Sequence, residues 1–283
     1  MTNKTKTQDD ETKRMFMQLM EDDAYVDISE DVKYPPVAIS CGTYNDINHN
    51  GDVVEYHIPI GTYGNFSFIQ APPKSMKSFF SSLLVSAYQS DSNKYSGLLK
   101  GHRKGRKIIH FDTEQGKFHC QKVFRRPILM NDMPDDDNYY TYALRTMSYK
   151  DRVDFIDYIL NDKLEGKDIG LVIIDGIADL VADVNNLEQC NEAIQKLMSW
   201  TDELQCHIVT IIHSNYGSDK PTGHLGSFLE KKAETQIKLE KNGVNQGWIS
   251  VECKRSRNRG FETFSFTINE NGLPEFVDND YDL

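Results

Sequence analysis

Residues 169–174, Ile169-Gly170-Leu171-Val172-Ile173-Ile174, form an unbroken apolar run that stops at Asp175. A strand with one wet face alternates apolar and polar residues, whereas a run without alternation reads as a central parallel strand buried on both faces. A sheet containing such a strand needs helices on both sides, and its parallel neighbours need long crossovers to connect them. The 283 residues, 39% of them hydrophobic, suffice for one large α/β domain with extensions or for two small domains.

The surrounding sequence meets that demand. Val37–Cys41 and Val53–Ile58 read as strands around a turn-rich Asn45–Asp52 segment, and Phe66–Gln70 reads as the first core strand. Lys77 to Gln89 has the pattern of a helix packed between layers. Arg106–Phe111, Tyr139–Arg145 and His207–Ile212 read as further strands, separated by helical patterns over Gly116–Arg126, Asp151–Leu164 and Leu187–Leu204. After residue 233 the pattern changes. Ala233–Glu240, Gly247–Lys254 and Phe261–Ile268 are strand-like, with turn signals at Asn242-Gly243 and Asn245-Gln246-Gly247, which predicts an antiparallel meander appended to the parallel sheet. Residues 1–33 are polar and read as an arm, with Phe16, Leu19 and Met20 marking a short helix. Residues 34–276 make the α/β domain, and 277–283 an acidic tail.

Within this frame, the chemistry gathers where strands end. Phe66–Gln70 runs into Ala71-Pro72-Pro73-Lys74-Ser75-Met76-Lys77-Ser78-Phe79, and a helix follows at once. Strand, compact loop, Lys-Ser and helix is the layout of a phosphate-binding loop, G-x-x-x-x-G-K-[ST], although Ala71 and Met76 stand where the motif has glycine. Proline offers no N–H, but residues 74–78 keep all their donors for an anion at the helix N-terminus. Lys77 is placed to reach the β- and γ-phosphates and Ser78 to hold Mg²⁺. Read plainly, the same segment is a βα turn with a solvated Lys and Ser.

Three further strand ends carry polar residues. Asp175 closes the run at 169–174, as a magnesium-associated carboxylate does in phosphate-loop enzymes. Glu114 lies one step past the strand ending in Asp112 and suits a base for an attacking water, while Asp112 reads as structural. His213 ends His207–Ile212, in the crevice where α/β sheets bind ligands. Each has an ordinary alternative as a turn acid, a helix-terminal acid or a structural histidine; together they recur at successive strand ends, in chain order.

Net charge is −11, so any nucleic-acid contact is local. Basic clusters lie at 100–107 and at Lys254–Arg259, while acids concentrate at Asp135-Asp136-Asp137 and in the tail. The cluster at Lys254–Arg259 reads either as a solvated turn or as a cationic finger toward a neighbouring subunit's γ-phosphate. The five cysteines are scattered without a C-x-x-C, which favours neither zinc nor a disulfide framework and fits reduced thiols in the cytoplasm. No stretch has the length and apolarity of a membrane span, and the polar N-terminus carries no secretory pattern.

The order of these motifs resembles the RecA-like P-loop ATPases, most closely the compact branch with the plasmid helicase RepA, the DnaB core and KaiC. The loop spelling is similar to that of phage and mobile-element AAA-family ATPases. Ala71–Ser78 stands in the Walker A place and Ile173-Ile174-Asp175 in the Walker B place. Asp112-Thr113-Glu114 matches the strand-end motif with the catalytic glutamate, and Ile212-His213-Ser214-Asn215 the end of the sensor strand. Lys254 and Arg257, before Asn258-Arg259-Gly260, resemble the K-x-R-N-G element of trans-acting fingers. The segment from Gly223 to Glu234 lies where ring helicases carry DNA-facing loops, with His224, Lys231 and Lys232 as candidates.

The resemblance implies a mostly parallel sheet flanked by helices, bound ATP and Mg²⁺, and a homo-oligomeric ring such as a hexamer, its size left open. It also implies single-stranded DNA and other replication or recombination proteins as partners. An ATPase motor follows. Ala71 and Met76 keep open a nucleotide-gated interaction protein with little hydrolysis, and a recombinase-like filament is a third reading.

Overall fold

The computed structural model describes residues 3–30, 33–48, 50–90, 94–95, 98–215, 218–243 and 247–277. The expected acidic tail from Asp278 onward lies outside the described residues, as do Asn245 and Gln246 of the expected turn. The chain divides into two compact units, Met1–Tyr34 and Pro35–Leu283.

The first unit contains helix α1 (Asn3–Ala24). The expected short helix around Phe16 is in fact 22 residues long. Its charged flanks hold good helix formers and neither Gly nor Pro, so nothing in the sequence stops the helix before Ala24. Met15, Phe16, Met17, Leu19 and Met20 are exposed along it.

The second unit begins with β1 (Val37–Ile47), β2 (Val53–Thr62) and β3 (Asn65–Ala71). Helix α2 (Lys77–Ser90) follows, then β4 (Leu99–Gly101), β5 (Lys107–Asp112), α3 (Lys117–Met130) and β6 (Tyr139–Ala143). Next come α4 (Tyr149–Asp157), β7 (Ile169–Asp175), α5 (Leu187–Leu204), β8 (His207–His213) and α6 (Gly223–Lys232). The unit closes with β9 (Thr235–Lys241), β10 (Ile249–Ser256), β11 (Phe264–Ile268) and β12 (Pro274–Val277). The helix expected over 151–164 is split, because α4 passes into a π-helical stretch at Tyr158–Lys163.

Among the described residues the strands form two sheets. The larger runs β12-β11-β10-β9-β3-β8-β7-β5-β6. Neighbours from β9 to β6 are parallel, and those from β9 to β12 antiparallel. The expected meander is therefore joined through a strand, β9, that is itself parallel to β3. The smaller sheet, β2-β1-β4, uses residues 45–47 as strand rather than turn.

The run at 169–174 is buried throughout, and its residues serve two cores in alternation. Leu171 and Ile173 pack with Phe80, Leu83 and Leu84 of α2, while Val172 and Ile174 pack with Ile194, Leu197 and Trp200 of α5. Burying each large apolar side chain contributes about 1.5–3 kcal/mol, so neither helix layer is dispensable. Register then sets the functional edge: Ala71 pairs with His213, and Asp112 with Asp175. The C-terminal ends of β3, β8, β7 and β5 therefore lie side by side.

Candidate nucleotide site

The loop after β3 solves the missing-glycine problem by strain rather than by changing shape. Met76 has φ 62° and Lys74 φ 62°, the left-handed region that glycine enters freely. A non-glycine residue there costs roughly 1–2 kcal/mol. Ala71 needs no such conformation; it is the buried last residue of β3. The Ser75 hydroxyl donates to the Pro72 carbonyl and closes the loop, while Pro72, Pro73 and Lys74 face solvent. Phe79, in the first turn of α2, carries the Arg126 guanidinium 3.7 Å from its ring centre. Arg126 also donates to the Ser78 carbonyl at 2.9 Å.

Lys77 is buried, and Lys77, Ser78, Glu114 and Asp175, with loop residues 74–76 and Gln115, line a cavity of about 340 Å³. A larger hollow of about 430 Å³, walled by Val153, Leu180 and Trp200, lies away from the loop. His213 ties two walls of the nucleotide cavity together: its Nδ1 lies 3.1 Å from Lys77 Nζ and its Nε2 3.1 Å from Glu114 Oε1. An ammonium only donates and a carboxylate only accepts, so a neutral ring with Nδ1 accepting and Nε2–H donating satisfies both. Burial lowers the Lys77 pKa against the opposing pull of Glu114 and Asp175. The His213 hydrogen bond, with the charge of Lys77 behind it, holds the Glu114 carboxyl below the usual glutamate range.

Asp112 builds the turn that presents Glu114. Its Oδ1 accepts the N–H groups of Glu114 at 3.0 Å and Gln115 at 2.8 Å, and its Oδ2 accepts the Gln115 side-chain amide. Asp175 is pushed up to about 8 by burial and then by the charges of Asp112 and Glu114. This edge thus gathers carboxylates around the buried Lys77. A hydroxyl and a carboxylate in one cavity are oxygen donors of the kind Mg²⁺ takes, and the crowded negative charge at Asp175 fits a cation. Among the described residues no group of three or more His, Cys, Asp or Glu could hold a metal alone, so phosphate oxygens would complete the shell.

A family model described as an AAA domain (AAA_25) matches residues 44–219, more than half of the chain. The chain belongs to this family of RecA-like P-loop ATPases. No curated protein matches it. Among solved structures, the crystal structure of the RadB recombinase is similar in fold, with TM-score 0.53 and 14% identity over 76% of this chain and 92% of that one.

Other residues singled out in the sequence of this P-loop ATPase lie away from the cavity. Lys254 pairs with Asp219, whose Oδ2 is 3.3 Å away, and Arg257 donates to the Lys232 carbonyl at 2.7 Å. Arg257 borders a hollow with Gly64, Asn65 and Phe66, at the N-terminal end of β3 and so at the opposite edge of the sheet. His224 begins α6 and Lys231 and Lys232 end it, which separates them by the helix length. In the basic segment at 100–107, Arg103 forms a two-pronged ion pair with Asp136 at 2.8 and 3.0 Å, and Arg106 stacks over Tyr63.

Sequence reasoning gave Thr113 and Gly176 no role. Thr113 ties β5 to β7, and Gly176 has φ 106° with no room for a side chain. The Asp175-Gly176 pair was the visible signal, since Asp-Gly marks a turn with positive φ.

Proposed function

We propose that this chain is an ATP-hydrolysing motor that acts on single-stranded DNA in replication or recombination. One observation carries the reading. A lysine and a serine at a helix N-terminus share a cavity with the carboxylates of two other strand ends, and a histidine bridges the lysine to one of those carboxylates. Lys77 and the backbone N–H groups of residues 74–78 hold the β- and γ-phosphates of ATP. Ser78 and Asp175 would hold Mg²⁺, which when bound would neutralise charge developing on the phosphates. Glu114 orients and deprotonates the attacking water for in-line displacement at the γ-phosphate. When phosphate draws Lys77 away, His213 loses one of its two partners, and this links phosphate state to the segment after β8.

Lys254 or Arg257 completes the site of a neighbour in a homo-oligomeric ring, a role consistent with their distance from the cavity of their own chain. Residues 34–276 form the proposed ATPase domain, with 1–33 either an arm or a docking segment for a neighbour, and the protein works in the cytoplasm. The net charge of −11 restricts DNA contact to local basic groups such as those on α6.

A second reading, a nucleotide-gated interaction protein with little hydrolysis, is favoured by the strained Lys74 and Met76 and by the Lys77–His213–Glu114 chain, which engages the base. A recombinase-like filament shares the same chemistry, and the RadB likeness bears on that possibility through fold alone. Steady-state ATP hydrolysis with and without single-stranded DNA, paired with native mass, separates these readings. A motor turns over faster on DNA and assembles, whereas binding without turnover under every DNA condition leaves the gated protein.

A further inference from the structure

We propose that Thr113 is a positioning residue whose hydroxyl locks the end of β5 to the end of β7 and so fixes Glu114 relative to Asp175. This rests on the hydrolysis reading above and names a residue that acts through its neighbours. Thr113 is 1% exposed. Its N–H donates to the Asp175 carbonyl at 3.0 Å. Its Oγ1 lies 2.9 Å from the same carbonyl, 3.1 Å from the Gly176 carbonyl and 2.7 Å from Asp179 Oδ2. One hydroxyl has one proton to donate. All three acceptors lie between Asp175 and Asp179, so wherever the proton goes it binds the segment that carries Asp175.

The path between the two working carboxylates is correspondingly short. Glu114 is the residue after Thr113, and Asp175 is the residue whose carbonyl accepts the Thr113 N–H and lies within reach of its hydroxyl. The opposing turn is shaped to receive this side chain. A Cβ on Gly176 would lie 2.2 Å from Thr113 Oγ1 and 3.1 Å from Glu114 Cγ. Arg152 braces the same junction, donating to the Asp179 carbonyl at 2.9 Å and to the Thr113 carbonyl at 3.5 Å. Without the hydroxyl, β5 and β7 keep their ladder, but the turn carrying Asp175 is free to shift against the one carrying Glu114. Displacements of about 1 Å at a reacting centre cost on the order of a hundredfold in rate.

The test compares Thr113→Val, which keeps the shape and loses the donor, with Thr113→Ser, which keeps the donor. ATP hydrolysis is measured under the conditions that give maximal wild-type turnover, with thermal unfolding alongside. Thr113→Val is expected to lower kcat on the order of ten- to a hundredfold with KM for ATP within about twofold, and Thr113→Ser to recover most of the loss. Should Thr113→Val fail to fold, Thr113→Ala removes the hydroxyl without introducing a bulkier branched side chain, and the same fall in kcat at constant KM is expected.

The inference is overturned if Thr113→Val keeps wild-type kcat, if Thr113→Ser falls as far as Thr113→Val, or if activity is lost only in proportion to folded protein. A folded Thr113→Ala variant with unchanged kcat overturns it equally. Turnover that survives Thr113→Val removes this inference alone. Absence of turnover in the wild-type protein removes the hydrolysis reading and this inference together.

Discussion

Lys77 and His213 are hydrogen-bonded at 3.1 Å across the mouth of the loop, and the other nitrogen of the same ring holds Glu114. The proposed phosphate-binding cation and the proposed base are thus engaged with each other through one imidazole. Removing the ring should act oppositely on binding and turnover. His213→Ala is expected to leave ATP affinity equal or slightly higher, because Lys77 loses a competing partner. The same change lowers kcat by roughly ten- to a hundredfold, because Glu114 loses its orienting donor. Titration with a fluorescent ATP analogue and steady-state kinetics check the two halves. Parallel losses in both would contradict the split.

The loop stores strain where the motif ordinarily has freedom. Lys74 is exposed with φ 62°, so Lys74→Gly should raise stability by about 0.5–1 kcal/mol, strain relief outweighing the added chain entropy of glycine. Lys74→Val should lower it by a similar amount or more, since a β-branched residue tolerates this region least. Urea unfolding distinguishes them, and a destabilised glycine variant would show that the loop holds no strain at this position.

Arg103 and Asp136 form a buried ion pair, their side chains 8% and 7% exposed. Burial alone raises the Asp136 carboxyl, but the bonds and charge of Arg103, with the Asn138 N–H and the Gln89 amide, outweigh it and hold the pKa below the ordinary 3.8. A depressed acid stabilises the fold above its unfolded pKa and loses that contribution as pH falls through its folded value. Stability should therefore decline on acidification below 3.8 partly through this pair, and Asp136→Asn should flatten that part of the profile. At neutral pH the substitution is expected to cost about 3 kcal/mol, because Arg103 loses its carboxylate. Chemical unfolding over a pH series reads both effects.

Gly176 is required both by its φ of 106° and because a Cβ there would lie 2.2 Å from Thr113 Oγ1. Gly176→Ala should cost about 2–3 kcal/mol and reduce turnover beyond the loss of folded protein. Thermal unfolding and activity per folded molecule check this, and a fully active, fully stable alanine variant would contradict it.

The central sheet was legible because its strands announce themselves. The run 169–174 has no polar break, and β3, β5 and β8 each end at or beside a residue of the proposed site. Glu114, Asp175 and His213 could be named because strand direction alone brings C-terminal ends to one edge. What escaped was set by partners distant in sequence. β4 is three residues long and is defined by its pairing with β1. The Asp135–Asp137 acids and the basic segment at 100–107 stand in the sequence only as separate clusters of opposite charge, yet Asp136 and Arg103 hold each other in a buried pair. Lys254 gave no sign that Asp219 would hold it in its own chain. The full length of α1 was missed because its polar flanks carry no apolar period, only helix-forming residues and no breaker.

The central claim is tested most directly by measuring Mg·ATP binding and single-turnover hydrolysis, with single-stranded DNA present, in wild type, Lys77→Ala and Glu114→Gln. The account predicts that Lys77→Ala loses both binding and hydrolysis, while Glu114→Gln binds ATP as tightly as wild type and cleaves it at least about a hundredfold more slowly. Wild-type cleavage by Glu114→Gln, or nucleotide affinity indifferent to Lys77, would contradict it.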